Sequence, residues 1–211
     1  MTGPTILPAA IYDELRARVI DQTYAPGEAI TESAIAERFD VARPTAKMAI
    51  ERLVAEGILR RETHRAARVP QLGREDIVDL FDNRAMVESV AVARLATEGI
   101  LPPEAVAANR AIAGSESFAS HDIAFHRALV AGQSSPRLAT MHNLLMGEIE
   151  LCIGQVQAGH LLTATEVALQ HQGILDAILA GDPDKAAHLS NEHIAGSRDR
   201  LVASISKKNQ E

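Results

Sequence analysis

Residues 31–69, TESAIAERFDVARPTAKMAIERLVAEGILRRETHRAARV, decide the fold of the first third of the chain. Ile35 and Phe39 stand four apart, on one face of a short helix, and Asp40, Val41 and Ala42 make a tight turn after it. A second helix follows. In it Ala46, Ile50, Leu53 and Val54 form an apolar stripe, while Arg43, Thr45, Lys47 and Arg52 face elsewhere. Pro44 suits the first turn of that helix, where its missing N–H removes no hydrogen bond, and Gly57 suits the end. Beyond Gly57, residues 58–59 and 67–69 read as two short strands joined around residues 62–66. Arg60, Arg61, Arg65 and Arg68 cluster on this hairpin, with His64 at its tip.

Two helices, a tight turn and a basic hairpin, in that order, are the layout of a winged helix-turn-helix. The second helix fits the major groove of DNA, and N-terminal side chains such as Arg43 and Lys47 can reach phosphates or the acceptor edge of guanine. Thr45, Arg52 and Arg65 complete the expected DNA-reading set, with His64 placed to enter the minor groove. Charge supports this placement. Residues 43–68 hold seven Arg or Lys against three Glu, although the whole chain carries a net charge of −7. Residues 73–211 hold eleven basic and eighteen acidic side chains, so the acidic excess lies entirely outside the basic element.

The same residues resemble the GntR family of bacterial winged-helix transcription regulators. The family's Pro-Gly turn, its Val-Ser-Arg-Thr-Pro-like turn and its Ala-Glu-Gly-Leu-like exit are echoed by Ala25-Pro26-Gly27, by Val41-Ala42-Arg43-Pro44-Thr45 and by Ala55-Glu56-Gly57-Ile58. Arg43 and Arg65 fall where such proteins place DNA-contacting arginines. Three positions depart from the pattern: Ala42 stands for a helix-capping Ser, Met48 for Glu, and Ala66 for the wing Gly. The resemblance implies an operator-binding homodimer.

At 211 residues the chain is long enough for two modest domains, and 46% hydrophobic content provides ample core. Only 3% of residues are aromatic, and a core of Ala, Leu, Ile and Val favours helices. The single Cys152 cannot form an internal disulfide and reads as a small core residue, consistent with a reducing cytoplasm. The first ten residues, MTGPTILPAA, lack the basic segment and long apolar run of a signal peptide, and charged residues interrupt every longer apolar stretch. A cytoplasmic protein that does not span a membrane is expected.

Outward from the basic element, Ile11, Leu15 and Val19 at four-residue spacing predict a helix ending before Pro26-Gly27. Pro70 and Gly73 punctuate a linker, which places a domain boundary between residues 72 and 73: a DNA-binding domain over 1–72, and an effector-sensing and dimerisation domain over 73–211. Helices are predicted over 76–98, 104–113, 117–131, 137–157, 164–180 and 184–206, and the tail 207–211 as frayed. No strand pattern separates them. The fold class is therefore mainly α, a winged helix-turn-helix followed by an all-α antiparallel bundle with room for a small-molecule pocket.

Within the bundle, Asp122 and His126 lie four apart on one helix face, and His171 and His193 lie in two later helices. One carboxylate and three imidazoles suit Zn²⁺, Ni²⁺ or Mn²⁺ first, and also Co²⁺ or Fe²⁺. On spacing alone, an Asp–His pair four apart on a helix is more often a local ion pair than a metal site. The segment resembles, however, the FadR-like branch of the family with its FCD-type helical domain, through residues 79–88 (DLFDNRAMVE), 122–126 (DIAFH), 171–182 (HQGILDAILAGD) and 191–193 (NEH). Metal-binding members of that branch carry Asp and three His at these places. The resemblance also implies an inward-facing Arg84, able to grip an effector carboxylate bidentately, or else to pair with Glu88. His142 and Asn143 are further candidates for the effector pocket, whereas His121, His160 and His188 read as surface or helix-end residues. The expected function is a one-component transcription regulator that binds operator DNA under control of a small carboxylate. A metal-dependent hydrolytic enzyme and a regulator with a purely structural metal are the alternatives.

Overall fold

In the computed structural model, which describes residues 8–113, 115 and 118–208, the chain divides into two compact units, one ending at Leu72 and the other beginning at Gly73. The first contains helix α1 (Pro8–Ile20), strand β1 (Ala29–Ile30), helices α2 (Glu32–Phe39) and α3 (Arg43–Ala55), and strand β2 (Ala67–Arg68). Ile11, Leu15 and Val19 of α1 are buried, and the helix packs with α3, whose Ile50 and Leu53 are buried as well. The Thr31 side chain caps α2 by accepting from the Ala34 N–H, and Asp40 ends it in the left-handed region at φ 51°. Ala42 offers α3 no side-chain cap, but Pro44 in the first turn leaves one fewer N–H to satisfy. Gly57, at φ 77°, turns the chain out of the helix.

The wing differs from expectation. β2 pairs antiparallel with β1, Ala29 opposite Arg68 and Ile30 opposite Ala67. On its other edge there is only a bridge between Arg60 and Arg68, closed by backbone hydrogen bonds of 2.9 and 2.8 Å. No strand forms at residues 58–59, because the N–H groups of Ile58 and Leu59 both turn back to the Leu53 carbonyl and finish α3 instead. Both side chains drop into the core.

The second unit is all helical among the described residues: α4 (Arg74–Glu98), α5 (Pro103–Ile112), α6 (Ala119–Gly132), α7 (Pro136–Ala158), α8 (Ala164–Leu179) and α9 (Pro183–Lys208). These are the six helices the periodicity predicts; the expected start of α6 at Ser117 lies outside the described residues. α4 is the central element, packed along α6, α7, α8 and α9. Its inner face runs Ile77, Leu80, Phe81, Arg84, Val87, Glu88, Ala91, Val92 and Leu95, every one buried. Apolar packing seals one end through Val92, Leu95, Phe125, Leu129, Ile174 and Ile178. Thr163 and Glu166 form a reciprocal capping box at the start of α8. Gly132, the last residue of α6, lies so close to α5's approach that a Cβ there would meet Pro102 Cγ at 2.4 Å.

Cys152 is buried on α7, where removal from water, with Glu148 nearby, pushes its thiol up to about 12 and keeps it neutral. Among the described residues no helix is long and apolar enough to cross a membrane.

Candidate functional site

Asp122 and His126 are one turn apart on α6, so both project from one helix face into the bundle, where His171 of α8 and His193 of α9 meet them. All four are at most 4% exposed. His193 Nε2 lies 3.2 Å from His126 Nε2 and 3.3 Å from His171 Nε2; Asp122 Oδ1 lies 3.4 Å from His171 Nε2 and 3.8 Å from His126 Nε2. Ligand atoms about 2.1 Å from a shared ion would be separated by ~3.4 Å in a tetrahedral set and ~3.0 Å between octahedral neighbours. The observed separations fit such a shell and need little adjustment.

The far side of two imidazoles is also occupied. Glu88 Oε2 lies 2.6 Å from His126 Nδ1, and Gln170 Oε1 lies 2.7 Å from His193 Nδ1. An amide oxygen can only accept, so His193 donates from Nδ1 and turns the Nε2 lone pair toward the cluster. His171 is fixed differently, its ring stacked on Phe125 with centroids 3.7 Å apart. Burial pulls its pKa down to about 4, so it is neutral and able to donate a lone pair at neutral pH. Burial likewise holds His193 well below the usual histidine range. Burial opposes charge on Asp122 too, but His126 and His171 outweigh it and keep the carboxyl well below its ordinary value.

Arg84 and Glu88 form a second buried layer on α4. Arg84 Nε donates to Glu88 Oε1 at 2.8 Å, and His142 Nε2 of α7 reaches the same oxygen at 2.9 Å. Arg84 is fully buried, yet its Nη1 and Nη2 have no hydrogen-bond partner among the described residues. Buried donors without partners are costly, which makes these two nitrogens a candidate contact for an anion. Arg84 thus pairs with Glu88 through Nε and leaves its other two nitrogens without a hydrogen-bond partner among the described residues.

Asn143 must be corrected. It is exposed, because one residue beyond the buried His142 is a rotation of about 100° around the helix. From sequence, Glu88 is Arg84's neighbour and, for a metal enzyme, a candidate acid or base, but not a contact of His126, and Gln170 has no role. Their contacts with His126 and His193 span 38 and 23 residues, beyond any local spacing rule.

In the first unit, Arg43 and Lys47 are exposed at the start of α3, Lys47 lying 3.6 Å from Glu51, and Thr45 is half-buried. His64 is exposed at φ 62°, and Arg65 pairs with Glu62 at 3.0 Å. Arg52, expected on the reading face, is exposed and lies against Tyr12 and Glu56. Its guanidinium lies 3.6 Å from the Tyr12 ring centroid and pairs with Glu56 at 3.0 Å, while Tyr12 donates to the same carboxylate. Partial burial and that hydrogen bond push the Tyr12 hydroxyl up to about 12.

A winged helix-turn-helix followed in one chain by a helical domain with a buried polar centre is an architecture suited to a one-component transcription regulator. Residues 7–69 match the family described as "Bacterial regulatory proteins, gntR family", and residues 79–196 match the FCD domain. The chain belongs to the GntR family of bacterial transcription regulators, in its FCD-containing form. The HTH-type transcriptional repressor GlaR of Escherichia coli strain K12 is 26% identical over 199 residues, covering 87% of this chain and 90% of that protein. Among solved structures, Escherichia coli McbR/YncC shares the fold at a TM-score of 0.71 and 19% identity, covering 97% of this chain and 100% of its own. A GntR regulator from Rhodococcus sp. RHA1 does so at a TM-score of 0.68 and 24% identity, covering 93% and 97%. The family consists of transcription regulators, not enzymes, which sets aside a hydrolytic role for the Asp and His cluster.

Proposed function

We propose that residues 73–211 sense a small carboxylate at a divalent metal held by Asp122, His126, His171 and His193, and thereby control operator binding by residues 1–72 within a homodimer. The supporting observation is the convergence of three Nε2 atoms and one carboxylate oxygen in a sealed interior, beside an arginine with two unsatisfied donors. Zn²⁺, Ni²⁺ and Mn²⁺ suit this donor set. A bound ion would supply a Lewis-acid position for an effector oxygen. Arg84 would hold the effector's far side through Nη1 and Nη2, with His142 beside it bracing Glu88. Charge balance favours an anion. Arg84 is matched by Glu88, and Asp122 cancels only half of a divalent ion, so the loaded centre keeps one positive charge in excess. Elemental analysis, followed by calorimetric titration of small dicarboxylates before and after chelation, tests this reading. Carboxylate binding unchanged by chelation would overturn it.

For the DNA-reading unit, Arg43, Thr45, Lys47, Arg52, His64 and Arg65 are the proposed contacts, Arg52 being the one held against Tyr12 and Glu56. Arg43→Ala is expected to lose ~1–3 kcal/mol of operator affinity and to relax base choice at one position in each half-site. Fluorescence anisotropy with a selected operator and a shuffled duplex measures both effects. Wild-type affinity and selectivity in the variant would exclude Arg43 from base reading.

A further inference from the structure

Met48 is the one large apolar side chain left exposed among the described residues of the first unit, at 61%. A single exposed apolar residue is ordinary on a protein surface, so its position decides what it means. Met48 lies in the second turn of α3, the helix whose start carries Arg43 and Lys47. At about 100° per residue, Ala46, Ala49, Ile50 and Leu53 point to the core, and Pro44, Met48 and Glu51 fall within about 30° of the opposite direction. These three form the crest of the helix. Lys47 and Arg52 stand about 70° to either side of it, both exposed.

Crest and flanks meet different chemistry in a DNA groove. A helix lying in the major groove turns its crest to the base edges, while its flanks face the phosphates of the two walls. Cations on both flanks suit those walls. Pro44 and Met48, one helical turn apart, give the crest an apolar stretch without a strong donor or acceptor. Glu51, further along the crest, lies 3.6 Å from the Lys47 ammonium. The major groove presents one apolar feature, the C5 methyl group of thymine. An unbranched, polarizable thioether adapts to such a contact better than a stiff side chain does.

We propose that Met48 is a base-reading residue, whose side chain packs on a thymine methyl group in the operator and so selects thymine over cytosine at one position of each half-site. The proposal rests on the operator-binding reading of residues 1–72 and adds to it a contact made without charge or hydrogen bond. Arg43 and Lys47 recognise acceptors, so the two kinds of contact read different bases. Specificity at the Met48 position is then a matter of methyl burial, and it is separable from the phosphate contacts that supply general affinity for DNA.

The test begins with selection of operators by the full-length wild-type chain from random duplexes. Each thymine of the selected site is then replaced in turn by deoxyuridine, which removes the C5 methyl group alone, and fluorescence anisotropy gives the dissociation constants. Wild type is expected to lose about fourfold in affinity at one thymine of each half-site, the worth of one buried methyl group. Met48→Ala is expected to bind the thymine and deoxyuridine forms of that position alike, while responding as wild type does to substitution elsewhere in the site. Circular dichroism checks the folding of the variant, and the wild-type arm does not depend on it. A wild type indifferent to deoxyuridine at every thymine would overturn the proposal and leave operator binding standing, as would a methyl effect that persists in Met48→Ala. A wild type that selects no sequence would overturn the operator reading and this proposal with it.

Discussion

Replacing His171 or His193 with alanine is expected to reduce bound metal from about one ion per chain to almost none, and to abolish thermal stabilisation by added metal. Each imidazole contributes an Nε2 at about the edge length of a coordination shell, and each is kept neutral by burial, so neither must lose a proton before binding. With wild type at a metal concentration a hundred times its Kd, ligation should add ~2.7 kcal/mol to folding. In a domain of this size that raises Tm by roughly 5–10 °C. Gln170→Ala should lose less, about 10–100-fold in metal affinity, because it frees the orientation of His193 without deleting the ligand. Metal analysis after dialysis and melting curves with and without added metal decide the matter. A His171→Ala chain that keeps stoichiometric metal would show that the ion binds elsewhere or not through this cluster.

Arg84→Met is expected to destabilise the metal-free second unit by ~3–5 kcal/mol, because it strands the Glu88 carboxylate in the interior. Arg84 is fully buried and Glu88 is 1% exposed, so solvent cannot replace the lost partner. His142 and His126 stay in reach of Glu88, but neither supplies the permanent charge of a guanidinium. At a few degrees per kcal/mol, Tm should fall by roughly 6–20 °C. Arg84→Met combined with Glu88→Gln should lose less than Arg84→Met alone, since no uncompensated charge is left behind. Calorimetric response to carboxylates should vanish in both variants. A single variant that melts within 1 kcal/mol of wild type and still binds carboxylate would remove Arg84 from both roles.

The helical architecture was legible because each long helix carries apolar residues at helical spacing, even where charged groups interrupt the stripe, and most end near a Gly or Pro. Leu15 and Val19 follow Ile11 at four-residue spacing, and Gly99 closes α4 in the left-handed conformation that its position suggests. β1 was invisible, since two residues, Ala29 and Ile30, are too short for alternation to register. The misplaced wing strand has a related cause: Ile58 and Leu59 look like strand residues, yet their N–H groups belong to the end of α3. At the polar centre, the Asp122 and His126 spacing showed a shared helix face. Bringing in His171 and His193 required family resemblance, because their meeting depends on how α8 and α9 pack. Arg52 illustrates a different limit: exposure of a helix face does not say whether a neighbouring aromatic such as Tyr12 will claim the side chain.

Gly132 gives the polar centre a mechanical anchor. The end of α6 rests on Pro102 with no room for even a methyl group, and a proline ring cannot swing aside as a long flexible side chain would. Asp122 and His126, the proposed ligands, ride on this same helix, so a shift at its last residue is expected to carry both side chains with it. A methyl added at Gly132 would act as a wedge, shifting the whole rod and with it two of the four ligand atoms. Gly132→Ala is therefore expected to weaken the proposed metal binding from a position six residues past His126, through displacement rather than through chemistry at the ligands, and a metal titration of that variant checks it.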